Sequence, residues 1–292
     1  MKKEANKMDF KRIQIIFIIT FLFLNTFLIF TYFDKNKSYY TSSSNQEIDF
    51  IEEMENENIQ LPDFSEIENK VPYVQAETNN LLEENVEQLK NRSGTVEEDG
   101  SLYSSLLSNP LALSEEIEIT QEDIELLDEF VISDQVLFGK NYRYFSYNLA
   151  DQKIKYTQIA NNIPIADGTS EIVFHLNNKK QVISYDQTFA GPVTVQGESR
   201  KLITDKNAVE ILYQNDEIPA SATVKKPVLT YSKTLLLEKL SMYAPVWYVE
   251  VTNSGTIEYK RVDALSGSII RSNMNEESTI KEAVAEEEIK TN

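Results

Sequence analysis

Cysteine is absent from the 292-residue chain, and histidine occurs once, at His175. The first absence excludes disulfide frameworks, thiolate catalysis, cysteine zinc sites and iron–sulfur clusters together. The second excludes histidine-rich metal sites and any mechanism that needs two imidazoles. Positive charge is scarce as well: 28 Lys and Arg stand against 47 Asp and Glu, for a formal net charge of −19. Phosphate recognition runs on Lys/Arg clusters, so no nucleic-acid partner is expected. The sequence also lacks a P-loop, a G-x-G-x-x-G fingerprint, a G-x-S-x-G elbow and the EF-hand calcium spacing. Nucleotide binding, the serine-hydrolase elbow and an EF-hand loop lose their support with them. No cofactor and no metal site is expected.

What is present is enough for a packed core: 41% of residues are hydrophobic and 10% aromatic. The length allows one large domain or two small ones. Charge is placed unevenly. Residues 46–129 hold 24 acids and three bases, whereas residues 130–270 hold 14 acids and 15 bases. An acidic block therefore joins a nearly neutral one. The acidic block should repel anionic surfaces, and its plainest reading is a solvated acidic layer.

Residues 13–33 carry no charge over 21 positions (IQIIFIITFLFLNTFLIFTYF). At about 1.5 Å per residue such a helix spans a bilayer core of about 30 Å. Lys2, Lys3, Lys7, Lys11 and Arg12 precede it. Basic flanks stay in the cytoplasm, which predicts a cytoplasmic N-terminus (1–12), a single transmembrane helix (13–33) and an extracytoplasmic remainder. A cleaved signal peptide would have a core of about 7–15 residues and a small-residue cleavage site after it. The run is longer, and no such site follows.

The span has a polar stripe. Gln14 and Asn25 are eleven positions apart, about three helical turns, so they share a face with Phe21 and Leu28. Polar groups in lipid seek partners, with interhelical bonds of roughly 0.6–2 kcal/mol. Gln14, Phe21, Asn25 and Leu28 are the candidate partner-binding residues. The plainer alternative places Gln14 near the headgroups and lets Asn25 bond to its own helix.

Beyond the span, residues 34–46 read as a polar, serine-rich stalk. Residues 47–138 read as an acidic, mainly helical part, punctuated by Pro62 and Pro72. Within it Thr120 and Asp123 resemble a capping box ahead of an apolar helical face. From Gly139 the period changes to two, and 139–270 reads as β-rich. Strands are predicted over 169–176 and 181–188 across a turn at Asn177–Lys180. A short capped helix is predicted over 204–214, then strands over 246–252 and 256–263. Residues 172–191 and 246–267 share a faint strand–turn–strand pattern closed by Gly191 and Gly267. Residues 271–292 read as a disordered tail.

Few residues could do chemistry. His175 alternates with Phe174 and shares the outer strand face with Val173, the position of a solvent-side histidine. Carboxylate pairs of the kind that cleave glycans need no motif, and 24 acids in one block supply many by chance.

Four stretches carry a family likeness. The opening places Met8, Asp9, Phe10, Lys11 and Arg12 ahead of Ile16, Phe17, Phe21, Leu24 and Asn25. The segments E-N-I-Q-L-P (57–62), I-P-I-A-D-G (163–168) and Y-K-R-V-D-A-L-S-G (259–267) follow in that order. In this combination the chain resembles the YycI (WalI) family over most of residues 8–270. Pro245, Trp247, Asp263 and Gly267 also resemble a PepSY-like unit. The resemblance implies an α+β fold: a single N-terminal transmembrane helix, then an extracytoplasmic domain of helices packed on twisted antiparallel sheets. It implies a non-enzymatic accessory protein of the WalK–WalR two-component system of Gram-positive bacteria, held in the cell membrane by one span. Its implied partners are a WalK-like sensor histidine kinase and a second anchored accessory protein, YycH-like. The implied function is modulation of a kinase that controls cell-wall metabolism, with restraint the favoured sign. The competing expectation is an extracytoplasmic module that senses wall ligands or inhibits a wall hydrolase.

Overall fold

The computed structural model describes residues 10–38, 50–65, 68–77, 80–89, 94–97, 100–237 and 240–271. They fall into two units, one up to Asp49 and one from Phe50 onward.

The first unit is a helix, α1 (Phe10–Ser38). Among the described residues no helix is long and apolar enough to cross a membrane. The helix starts before the predicted span and runs past it, so residues 34–38 of the predicted stalk are helical. No Pro or Gly stands at 34–38 to stop it. The rest of the stalk lies outside the described residues, as does the predicted tail from residue 272 on.

The second unit is α+β and holds two sheets. The first contains β1 (Lys70–Glu77), β9 (Val193–Lys201), β10 (Thr223–Val224), β11 (Val228–Leu237), β12 (Leu240–Asn253), β13 (Thr256–Asp263) and β14 (Ile269–Ile270). Its order is β14-β13-β12-β1-β9, with β10 and β11 along the other edge of β12. The second contains β2 (Gly94–Val96), β3 (Leu102–Ala112), β4 (Tyr142–Asn148), β5 (Lys153–Ala160), β6 (Ile163–Pro164), β7 (Glu171–Leu176) and β8 (Gln181–Thr188). Its order is β2-β3-β8-β7-β5-β4, with β6 on β5. Four short helices complete the unit: α2 (Phe50–Asn56), α3 (Leu81–Asn85), α4 (Gln121–Ile132) and α5 (Asp205–Gln214).

Each sheet has its own core and its own capped helix. Thr120 and Asp123 cap α4 reciprocally, as the sequence predicts, and Thr204 and Asn207 do the same for α5. Two N-terminal donors are satisfied at each start. Leu127 and Val131 of α4 pack on Tyr103, Tyr156, Phe174 and Tyr185. Tyr156 and Phe174 meet edge to face at 5.7 Å, the arrangement their quadrupoles favour, and Tyr185 lies tilted at 5.9 Å from both Tyr103 and Phe174. Ala208, Val209 and Leu212 of α5 pack on Val74, Val249, Val251 and Val262. The β7–β8 and β12–β13 hairpins are the two segments with the shared pattern. Their closing residues Gly191 and Gly267 both have positive φ, at 92° and 74°.

The chain enters the second unit as a strap. Met54 and Ile59 are buried in the first core. Gln60 accepts from Val224 N–H at 2.9 Å and donates to Ala222 C=O at 2.9 Å. Ser65 N–H donates to the Asp205 carboxylate at 2.7 Å. The acidic stretch is thus not mainly helical: it supplies β1, β2 and β3 beside three short helices. Long-range pairing of β1 with β12 and β9 decides its conformation, overriding local helix preference.

Candidate functional site

The four residues singled out on α1 share its surface without meeting one another, except for one pair. Gln14, Phe21 and Leu28 are exposed, the last two by 66% and 53%, and Asn25 is half-buried. Asn25 Nδ2 donates to the Phe21 carbonyl at 2.9 Å. Gln14 stands about 16 Å from Asn25 along the axis and shares no bond with it. Thr20, Thr26 and Thr31 follow the same habit as Asn25, donating to Ile16, Leu22 and Phe27 at 2.8–3.0 Å. Such back-bonding satisfies a polar side chain within its own helix. Apolar side chains project on every side of α1 between Ile15 and Ile29.

A second feature of α1 was not read from the sequence. Ile19, Leu22, Phe23, Thr26 and Phe27 line a hollow of about 450 Å³. Thr26 is the smallest of the lining residues, turned roughly 100° from Asn25. Its signal in the sequence is Phe23-x-x-Thr26-Phe27, a small residue among large apolar ones.

In the second unit three groups of polar side chains stand nearest to a candidate site. His175 is where its strand alternation places it, on the outer face of β7. Its Nε2 lies 2.7 Å from Asp186 Oδ2, and Ser104 Oγ donates to Asp186 Oδ1 at 2.6 Å. The bond to His175 holds the Asp186 carboxyl below the usual carboxylate range, against its partial burial. Asp186 stands between the other two, so the Ser104 hydroxyl is committed to a carboxylate and does not face the imidazole. A nucleophile needs the base as its own neighbour.

Asp123 is the second group. Burial would raise its pKa, but bonds from the Ser114 hydroxyl and N–H and from Thr120 outweigh it. The carboxyl is held well below the usual range. It accepts from Ser114 N–H and Oγ at 2.6 Å each and from Thr120 N–H at 3.0 Å. Lys180 Nζ closes the same corner on Glu116 and Glu118 carbonyls at 2.6 and 2.7 Å. This is a structural knot that ties the 113–120 loop to α4.

The third is a buried polar row where the two sheets join. Gln158 Nε2 donates to Gly191 C=O at 2.8 Å, and Ser170 Oγ donates to Gln158 Oε1. Ala190 N–H donates to Ser170 Oγ at 3.0 Å. A groove of about 400 Å³ opens elsewhere, where β3 leaves its ladder between Leu106 and Leu111. Leu107, Asn109, Leu111, Phe130, Asp134 and Gln135 line it. Among the described residues no group of His, Asp and Glu is arranged to hold a metal ion.

Comparison with known proteins places this geometry. A family model described as "YycI protein" matches residues 36–265. The match lies almost wholly beyond α1, so it rests on the second unit and not on the Met8–Tyr32 opening. No curated protein matches the chain. Among solved structures, the chain is similar to an uncharacterized protein from Eubacterium rectale, determined at 1.45 Å resolution. The two are 14% identical, the likeness covers 74% of this chain and 89% of the other, and the TM-score is 0.41. A likeness at that score carries no argument about function.

Proposed function

This chain belongs to the YycI family, a regulatory accessory family linked to the WalK–WalR system, and on that basis we propose that it is a membrane-anchored, non-enzymatic modulator of a WalK-like sensor histidine kinase. The observation that carries the reading is the family match over 36–265. The favoured action is restraint of the kinase, exerted through α1 and through the outer unit, with a YycH-like protein as a second anchored partner.

Four observations support the anchor. The uncharged run of 21 residues lies inside the 29-residue helix α1. Its side chains are apolar all round, the pattern of a helix surrounded by protein or lipid. Four of its polar side chains bond back to the helix itself. Five bases precede the run, which orients the N-terminus toward the cytoplasm.

The mechanism asked of such a protein is a difference in affinity. A neighbouring helix shifts a kinase only by binding one of its states more tightly, and about 1–3 kcal/mol is a typical coupling. The test is kinase autophosphorylation in proteoliposomes with and without the full chain. A lower rate with the chain present is expected. An unchanged rate, with both proteins inserted, overturns the modulator reading.

A further inference from the structure

We propose that the leucine-rich ends of β11 (235–237) and β12 (240–242) form a lipid-contacting element that rests in the headgroup layer of the bilayer. The inference builds on the anchored reading given above and goes beyond it, because it assigns a second membrane contact to the outer unit.

The observation is an exposed apolar cluster on a two-stranded ribbon. Leu235, Leu236 and Leu237 are exposed by 45%, 64% and 47%. Leu240 and Met242 on the facing strand are half-buried. The register pairs Leu235 with Met242, Leu236 with Ser241 and Leu237 with Leu240. Directly opposed residues share a face. Leu235, Leu237, Leu240 and Met242 therefore project from one face of the ribbon and Leu236 from the other. Scattered apolar residues at a surface need no explanation, but a contiguous cluster marks an interaction site.

The two-sidedness decides the occupant. A flat protein partner covers one face of a ribbon and leaves the other wet. A surrounding apolar medium covers both. Backbone pairing limits the depth. β12 is paired on both edges here, to β11 and to β1, whereas β11 meets the β6 segment on its other edge at Tyr231 and, among the described residues, has no second strand beside Leu235–Leu237. Unpaired peptide groups are costly in hydrocarbon, so the ribbon belongs at the interface and not in the core. Lys233 and Glu77, the latter directly opposite Leu240, mark the charged rim where that contact stops.

Reach and charge agree. Eleven residues, 39–49, join Ser38 to Phe50, and such a link extends to at most roughly 40 Å. Within the outer unit, Gln60 bridges Thr223, which faces Thr252 of β12. Leu240 is twelve residues from Thr252 along that strand, again roughly 40 Å. An anchored chain can thus lay this ribbon on the bilayer. The ribbon lies in the nearly neutral segment 130–270, not in the acidic block that repels anionic headgroups.

The absence of native cysteine makes the test clean. Leu236→Cys, and Ser199→Cys on exposed β9 as the aqueous reference, are each labelled with an environment-sensitive fluorophore. The full chain is reconstituted into phosphatidylcholine vesicles, and flotation confirms that it is inserted. The expected result is a label at 236 that aqueous iodide quenches several-fold less than the label at 199. Shallow doxyl-labelled lipid should quench it strongly. A floating chain whose two labels meet iodide equally overturns the ribbon proposal and leaves the anchor standing. A label at 236 that is shielded from iodide but not quenched by the lipid reports a second protein copy on the ribbon and overturns it too. A chain that fails to float overturns the anchor reading itself, and the ribbon proposal with it.

Discussion

The amide of Asn25 donates to the carbonyl of Phe21 at 2.9 Å, one turn back along the same helix face. That bond uses one of the two N–H groups of the amide and leaves its carbonyl oxygen outside the bond. Asn25 can therefore hold its own helix and still offer an acceptor and a donor to a neighbour. The helix-internal bond and the docking role, which look like alternatives in the sequence, are compatible in the structure.

Replacing Asn25 by Leu should weaken co-purification with the kinase without disturbing α1 itself. Interhelical polar contacts in membranes are worth roughly 0.6–2 kcal/mol, about 3- to 30-fold in affinity. Circular dichroism and membrane insertion should stay as in the parent. Recovery of the kinase at the parental level, with equal expression, would remove Asn25 from the partner face.

Asp123→Asn should destabilise the second unit by about 1–3 kcal/mol at pH 7, since it weakens a cap and bonds to a buried charge. The sign with pH follows from the lowered pKa. The stabilising effect is present above the ordinary carboxylate pKa of about 3.9 and is lost as pH falls through the lower folded value. Urea unfolding of the second unit should therefore show a gap between parent and variant at pH 7 that narrows below about pH 4. A gap that widens on acidification would contradict the assignment.

Gly139→Ala should be poorly tolerated. A Cβ at 139 would lie 1.7 Å from the Val131 carbonyl oxygen, so backbone must move. Overpacking of this kind costs about 1–3 kcal/mol or more. A thermal midpoint equal to the parent's would show that the close approach of the 138–141 turn to α4 is wrong.

His175→Ala should change little. The contact with Asp186 is partly exposed, with side chains 30% and 36% accessible, and such pairs contribute about 0–1 kcal/mol. Kinase co-purification should be unaffected. Loss of regulation in this variant, at parental stability, would assign a functional role to the His175–Asp186–Ser104 row.

What was legible in the sequence was local. The Thr120 and Thr204 caps, the Asn177–Lys180 turn and the inward alternation of Ile172, Phe174 and Leu176 depend on neighbours a few residues away. What was not legible depended on distant partners. Pro72 reads as an interruption, yet it sits inside β1 at a register shift between Val71 and Tyr73, a place where a strand accommodates proline. Pro245 masks the first half of β12 in the same way. It falls where the edge of β12 passes from β1, paired up to Tyr243, to β13, paired from Val246. β9 is a nearly fully exposed strand, so no apolar alternation announces it. At the candidate site, helical spacing gave the face, but the partner of Asn25 and the hollow over Thr26 depend on side-chain geometry that spacing does not carry.

The central claim is that α1 is a working surface and not only a tether. The direct test is co-purification from membranes of the intact chain beside the same outer unit carried on an unrelated single-pass helix. The account predicts that only the native helix recovers the full complement of a sensor kinase and a second anchored subunit. Equal recovery by the chimera would contradict it, leaving recognition to the outer unit and α1 as an anchor alone.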